Sequence, residues 1–237
     1  MKHTNWIMAA AVVLASVSPA EIISFRQGDL RIDGVLVMSN YVTQATSLRG
    51  TTQADEVADG LINWIGDNGA RAGSPMRGLY GFDLSYIKTL AKGQPYIINS
   101  VQLNLTVMRA NDKFGGNHQF SLNLSKPFDE TTATFNNPGI GHDAGGTIGT
   151  ALTQVMVTSK AANTKGEKLT FASTRPFVNA VSNALSSADG TIHMIVKKTT
   201  EEGVINRYFR PASNDSTSID VRPELVVDFT VIGNRKN

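Results

Sequence analysis

The sequence contains no cysteine, few aromatic residues and no marked excess of charge of either sign. Without cysteine, a disulfide scaffold, a thiolate metal site and a cysteine nucleophile are excluded. The formal net charge of +2 is too small to drive binding to nucleic acid or anionic lipid, so neither is an expected partner. Hydrophobic residues make up 41% of the 237 residues and charged residues 18%, which excludes a disordered chain or a coiled coil. We therefore expect a folded domain that buries a core.

Residues 1–20 have the pattern of a secretory signal peptide. Lys2 provides the basic start, an apolar run extends from Trp6 to Val17, and Ser18 and Ala20 are the small residues of a cleavage site. The run is shorter than the roughly 20 residues that a bilayer-spanning helix needs, and a short core helix is the alternative. No comparable run follows. We expect a secreted protein, extracellular or at the cell surface, with no membrane span after processing.

Apolar and polar residues alternate with a period of two through much of the remaining chain. In residues 101–107, for example, the apolar side chains of Val101, Leu103, Leu105 and Val107 are separated by polar ones. Such alternation is typical of antiparallel strands that place one face on a core. The pattern returns in residues 80–84, 120–125, 192–196 and 225–231, with turn-forming clusters between them.

One segment has a helical period instead. Phe177, Val181 and Leu185 share a helix face within residues 174–187, Thr174 suits the N-cap, and Pro176 falls in the first turn. Many short strands and a single helix predict an all-β fold, a two-sheet antiparallel β-sandwich of jelly-roll type with one short amphipathic helix. We expect residues 21–60 to form an N-terminal extended segment with the first strands. Together with residues 61–237 this segment forms one domain.

The sequence contains no recognisable catalytic or metal-binding motif. His118, His142 and His193 stand singly, without metal-ligand spacing, and His193 is predicted to be solvated. Neighbouring carboxylates on a strand point to opposite faces, so the acidic groups at 55–59, 129–130 and 201–202 are interpreted as solvated turn residues. We predict no catalytic residue and no cofactor. A structural Ca²⁺ in an oxygen-rich loop is the open alternative.

Aromatic side chains that could stack on a sugar ring are scarce. Trp64, Tyr86 and Tyr96 are the candidates for ligand binding. Trp64 shares a predicted strand face with Ile62, which favours its burial, whereas Tyr86 and Tyr96 flank a loop and are freer to bind. The sequence therefore offers few aromatic side chains on which a sugar ring could stack.

Several segments resemble one known family. Residues 78–87 (GLYGFDLSYI) and 98–105 (INSVQLNL), then 128–138 (FDETTATFNNP) and 222–229 (RPELVVDF), occur in the order and spacing of DNRLRE-type domains. The resemblance spans residues 60–231 and implies a secreted jelly-roll β-sandwich, similar to carbohydrate-binding modules of bacterial surface and matrix proteins. Two motif tryptophans of that family are Phe128 and Phe135 here. We interpret Phe82, Leu84 and Phe135 as core residues.

These features favour a non-catalytic structural protein of the extracellular matrix or cell surface, with copies of itself as partners. The first alternative is a carbohydrate-binding or adhesion module that recognises an extracellular polysaccharide, and the second is a polysaccharide-active enzyme.

The N-terminal segment suggests how copies could join. Signal cleavage would leave Ile22, Ile23 and Phe25 near a new N-terminus, in an apolar segment of β-formers that continues to Val37. If this arm added to the sheet of a neighbouring copy, head-to-tail contacts would build a filament. Alternatively, the segment is the first strand of its own sandwich.

Overall fold

The computed structural model describes residues 18–50, 53–58, 60–67, 75–201 and 207–233. Most of the predicted signal peptide, residues 1–17, lies outside the described residues. Within the described ranges, no helix is long and apolar enough to cross a membrane.

Two antiparallel sheets pack face to face. The strands of the first sheet are β1 (Glu21–Arg26), β2 (Asp29–Ile32), β3 (Val35–Met38), β7 (Tyr96–Thr106), β10 (Lys168–Phe171) and β13 (Glu224–Val231). Their order in the sheet is β10-β7-β13-β1-β2-β3. The N-terminal strand β1 pairs with the C-terminal strand β13 on one side and with β2 on the other. The ends of the described chain therefore meet in the middle of one sheet.

The strands of the second sheet are β4 (Thr43–Arg49), β5 (Ile65–Asp67), β6 (Pro75–Asp83), β8 (Asn117–Leu124), β9 (Ala151–Thr158), β11 (Thr191–Lys198) and β12 (Arg207–Phe209). Their order in the sheet is β12-β5-β6-β11-β8-β9, and β4 also pairs with β6. The predicted all-β sandwich of two antiparallel sheets is confirmed.

Three α-helices are present in the described part of the chain, where the sequence predicted one. They are α1 (Ser85–Ala91), α2 (Ser159–Asn163) and α3 (Arg175–Ser186). The prediction of α3 is confirmed, because Phe177, Val181 and Leu185 are buried on one face and Thr174 is the N-cap. Helices α1 and α2 have only 7 and 5 residues, too few for a helical period to show in the sequence.

The main core fills the space between the sheets. Alternate residues of the long strands point into it, as in β7, where Val101, Leu103 and Leu105 are buried. Phe82 and Leu84 also belong to this core, as predicted.

A second, smaller core lies on the outer face of the second sheet, beneath the loop of residues 125–150. Phe135 packs half-buried against this cluster, formed by Leu48, Leu79, Phe128, Ala133 and Ile195. Arg77 holds the loop in place. Its Nε and Nη2 donate to the carboxylate of Glu201 at 2.8 and 2.7 Å, and its Nη1 donates to the carbonyl of Gly145 at 2.7 Å.

The N-cap of α3 gives a direct test of this local structure. The Thr174 hydroxyl accepts a hydrogen bond from the amide of Phe177 at 3.2 Å and donates one to the carbonyl of Leu152 in β9. We expect Thr174→Ala to lower the free energy of unfolding by about 1–2 kcal/mol, measured by urea denaturation. Thr174→Ser keeps the hydroxyl and serves as the control. Equal losses in the two variants would contradict the role of the cap.

Candidate functional site

Four side chains meet in the second sheet where β4 and β12 end and β5 begins. Arg49 is the last residue of β4, Trp64 precedes β5, Tyr208 lies in β12, and Arg210 follows it. The ring centroids of Trp64 and Tyr208 are 5.1 Å apart at an interplanar angle of 36°. The Cζ atoms of Arg49 and Arg210 lie 5.7 and 5.4 Å from the centroid of the Trp64 ring. We call these four residues the arginine–aromatic cluster.

Both guanidinium groups of the cluster are partly withdrawn from water. Arg210 is 8% exposed, and the Nε atoms of Arg49 and Arg210 are buried without a hydrogen-bond partner. Burial lowers the pKa of both arginines, although the negative charge of Glu56 opposes the shift at Arg49. For Arg210, Arg109 adds to the lowering of the pKa, while Tyr208 and Asp112 oppose it.

The structure separates Trp64 from Tyr86, two of the three aromatic residues that the sequence put forward for ligand binding. Trp64 is half-buried in the cluster and packs against Tyr208, so part of its ring surface is already covered. Tyr86 in α1 and Tyr96 at the start of β7 are also half-buried and pack against the main core. Strand β5 pairs with Met76 of β6, whereas α1 follows the other end of β6, about 23 Å away at the usual rise per residue. Trp64 and Tyr86 therefore do not share one site.

Several of the acidic side chains support the fold. The Glu130 carboxylate accepts hydrogen bonds from the Ala45 amide and from Asn214 Nδ2, both at 2.8 Å. Glu130 and Asp215 line a cavity of about 330 Å³. Asp129 is exposed, as predicted for a turn, and hydrogen bonds from Thr131 lower its pKa. The prediction of solvated turn residues is wrong for Glu130 and for Glu201, which pairs with Arg77.

Possible metal ligands do not gather in the described residues. No group of three or more His, Asp or Glu side chains is placed there to hold an ion. The structural Ca²⁺ stays an untested alternative.

His193 differs from its prediction as a solvated residue. It is half-buried, and its ring is packed edge-on against Phe128 with the two ring centroids 5.8 Å apart. Its Nδ1 is buried without a hydrogen-bond partner. Burial lowers its pKa, and Asp189 partly opposes that shift. His193 lines two neighbouring surface depressions of about 570 and 320 Å³. The His193 side chain therefore forms part of the wall of two depressions on the surface of the second sheet.

The residues put forward for self-assembly lie in β1. Ile23 and Phe25 are fully buried in the main core, while Ile22 is 49% exposed. The structure thus has the second of the two arrangements considered, with the segment as a strand of its own sandwich. An apolar segment that is exposed instead is β3, where Val35, Leu36 and Val37 are 66%, 49% and 42% exposed.

Sequence reasoning missed three members of the arginine–aromatic cluster. Tyr208 and Arg210 lie in the segment Arg207–Pro211, where two arginines flank two aromatic residues, a pattern that could have indicated a site. Nothing in the sequence around Arg49 marks it out, because its role depends on β4 ending beside Trp64.

Comparison of the chain with protein-family models finds no match, and comparison with curated protein sequences finds none either. The resemblance to DNRLRE-type domains stays a prediction from the sequence segments quoted above.

Proposed function

We propose that this chain is a non-catalytic structural protein of the extracellular matrix or cell surface that assembles with copies of itself through β3. The observation that carries the proposal is the exposed apolar edge formed by Val35, Leu36 and Val37. Soluble proteins normally protect an edge strand with charge, proline or a covering segment, because an open edge pairs with other strands. The signal-peptide pattern of residues 1–20 supports the extracellular location.

The hairpin of β2 and β3 presents the main chain of β3 for pairing. Asp33 and Gly34 form its two-residue turn with φ angles of +49° and +82°, and Ile32 pairs with Val35. Residues next to such a turn bond each other, so the following residue, Leu36, directs its N–H and C=O away from β2. Strand β3 ends the sheet within the described residues. Its outer edge is therefore available to another strand.

In contrast to β3, the edge strand β4 has main-chain donors that side chains already occupy. The Ala45 amide donates to Glu130, and the Thr43 amide donates to Gln27 Oε1. These side chains occupy main-chain donors that could otherwise pair with a neighbour.

A second copy of this chain is the partner that matches β3 best. The sequence Val35–Met38 is uncharged and apolar on both faces, so two copies of β3 can pair antiparallel without repulsion or a buried charge. Such a contact uses the same patch on both subunits and forms a two-fold dimer. Pairing of β3 with a different edge would instead be head-to-tail and build a filament.

We propose that the chain is not catalytic because two of its candidate carboxylates already bind other groups of the fold. Two of the carboxylates considered, Glu130 and Glu201, are engaged by main-chain or arginine donors. A glycosidase needs two carboxyl groups free to act on a bond held between them.

Self-association gives the test of the proposal. We expect the full chain to form dimers or larger assemblies in sedimentation velocity measurements, and Val35→Lys/Val37→Lys to be monomeric, because a charged edge cannot pair with its own copy. The control is Ile140→Lys, which charges a loop residue that is 99% exposed and should leave assembly unchanged. A larger, open-ended series of masses that the double substitution abolishes would also support assembly through β3. A monomeric wild-type chain, or assembly unaffected by the double substitution, would overturn it.

A further inference from the structure

The arginine–aromatic cluster carries positive charge that the fold does not neutralise. The half-buried Arg222 donates to the main-chain carbonyls of Ser216 and Gln27. Two further arginines form ion pairs, Arg26 with Glu224 at 2.6 Å and Arg77 with Glu201 at 2.7 Å. In contrast, Arg49 and Arg210 form no ion pair with any carboxylate in the described residues. The cluster therefore holds two guanidinium groups, both beside the Trp64 ring, that have no ion-pair partner in the described residues.

Withdrawing such charges from water is unfavourable unless an opposite charge compensates them. Glu56 and Asp112 are near enough to influence the pKa values of the two arginines, but neither comes within ion-pair distance. Arg109 adds a further positive charge near Arg210. A bound anion would supply the missing compensation.

The chemistry of the cluster favours a particular kind of anion. A guanidinium group is planar and presents donors in a fork that matches a carboxylate. Trp64 and Tyr208 hold the arginines in place and, being half-buried, still offer apolar ring surface to a sugar. A polyphosphate such as nucleic acid calls for more extensive positive charge than a chain of net charge +2 provides.

We propose that the arginine–aromatic cluster binds the carboxylate groups of an acidic polysaccharide. Arg49 and Arg210 each pair with a uronate carboxylate of the chain, and Tyr208 with the exposed part of Trp64 contacts a sugar ring. This site is independent of the assembly edge, because β3 belongs to the first sheet and the cluster to the second.

Titration with polygalacturonate tests the proposal. The experiment uses the full chain with Val35→Lys/Val37→Lys, so that self-association does not alter the apparent affinity, and with Trp6→Phe, which leaves Trp64 as the only tryptophan. We expect saturable binding with a change in Trp64 fluorescence. Arg49→Gln and Arg210→Gln should each weaken it at least about tenfold, because each removes one partner of a charge pair. Arg210→Lys should bind with intermediate affinity, because it keeps the charge and loses the fork.

The matched control is Arg175→Gln, which removes the same charge from an exposed position on α3. It should bind as the parent does. Neutral dextran should not bind, and single-stranded DNA should bind more weakly than polygalacturonate. The proposal is overturned if the parent chain does not bind polygalacturonate or binds DNA more tightly. It is also overturned if a folded Arg49→Gln or Arg210→Gln variant binds polygalacturonate as tightly as the parent does. Circular dichroism of each variant confirms folding, and because Arg49 lies in β4 and Arg210 in the segment after β12, either folded variant decides the result. Sedimentation of the chain without substitutions tests the assembly proposal, so the assembly and the binding proposals can fail separately.

Discussion

Lys198→Met is expected to lower the free energy of unfolding by about 3–5 kcal/mol. The Lys198 ammonium lies 2.7 Å from Asp67 Oδ2, with the two side chains 3% and 0% exposed. The pair joins the end of β11 to β5, which lies two strands away in the sheet. Methionine has a similar length but no charge, so it leaves the Asp67 carboxylate buried without its ammonium partner. The midpoint of urea denaturation at neutral pH measures the loss.

Two further variants isolate the charge pair. Replacing both partners, in Lys198→Met/Asp67→Leu, should recover much of the lost stability, because no unpaired charge is then buried. Lys197→Met is the control on the neighbouring residue, whose ammonium donates to main-chain carbonyls at a half-buried position. We expect it to change the free energy of unfolding by less than about 1 kcal/mol. A wild-type midpoint for Lys198→Met would refute the importance of the pair.

Gly66→Ala should be similarly destabilising, by about 3 kcal/mol or more. Gly66 has a φ of +131°, which disfavours any other residue, and β12 passes directly over it. A Cβ at this position would overlap the carbonyl oxygen of Arg207 and lie 2.7 Å from the Cα of Tyr208. Since both of these atoms belong to the backbone, β12 must move away from β5. Urea denaturation measures the cost, and in a chain that also carries Trp6→Phe a shift of Trp64 fluorescence reports the displacement of Tyr208.

Gly34→Ala separates steric overlap from backbone strain. Gly34 also has a positive φ, +82°, but apart from Gly34 itself and its two chain neighbours no residue has an atom within 4 Å of the Cβ that alanine would add. Its substitution should lower the free energy of unfolding by about 1–2 kcal/mol, because only the left-handed conformation opposes it. It should leave Trp64 fluorescence unchanged. Equal losses in the two glycine variants would show that the approach of β12 to Gly66 has no energetic consequence.

The sequence alone determined the sandwich and its longest elements. Residues 101–107 and 225–231 alternate because one face of β7 and of β13 is buried and the other is not, and this one-sided burial leaves a period of two in the chain. Helix α3 was recognisable for the same kind of reason, since its buried residues repeat at the helical period and Thr174 caps it. Helices α1 and α2 escaped notice because one or two turns contain too few residues to define a period.

The position of a strand within its sheet was decided only by the tertiary structure. The segments at 21–26 and 35–38 are both apolar and rich in β-formers, yet β1 lies between β13 and β2 while β3 ends the sheet. A local pattern shows that a residue suits a strand but not which neighbour will cover it. The choice between an arm and an internal strand for residues 21–26 depended on pairing with β13, at the far end of the chain.

The candidate sites were decided in the same way. Trp64 drew attention from the sequence as an aromatic residue, but the two arginines beside it come from β4 and from the segment after β12. Lys198 and Asp67 are 131 positions apart and meet only when β11 and β5 are placed in one sheet. Periodicity reports how each residue relates to its own strand or helix. Charge compensation depends on which distant residues the fold brings within a few ångströms, and only the tertiary structure contains that information.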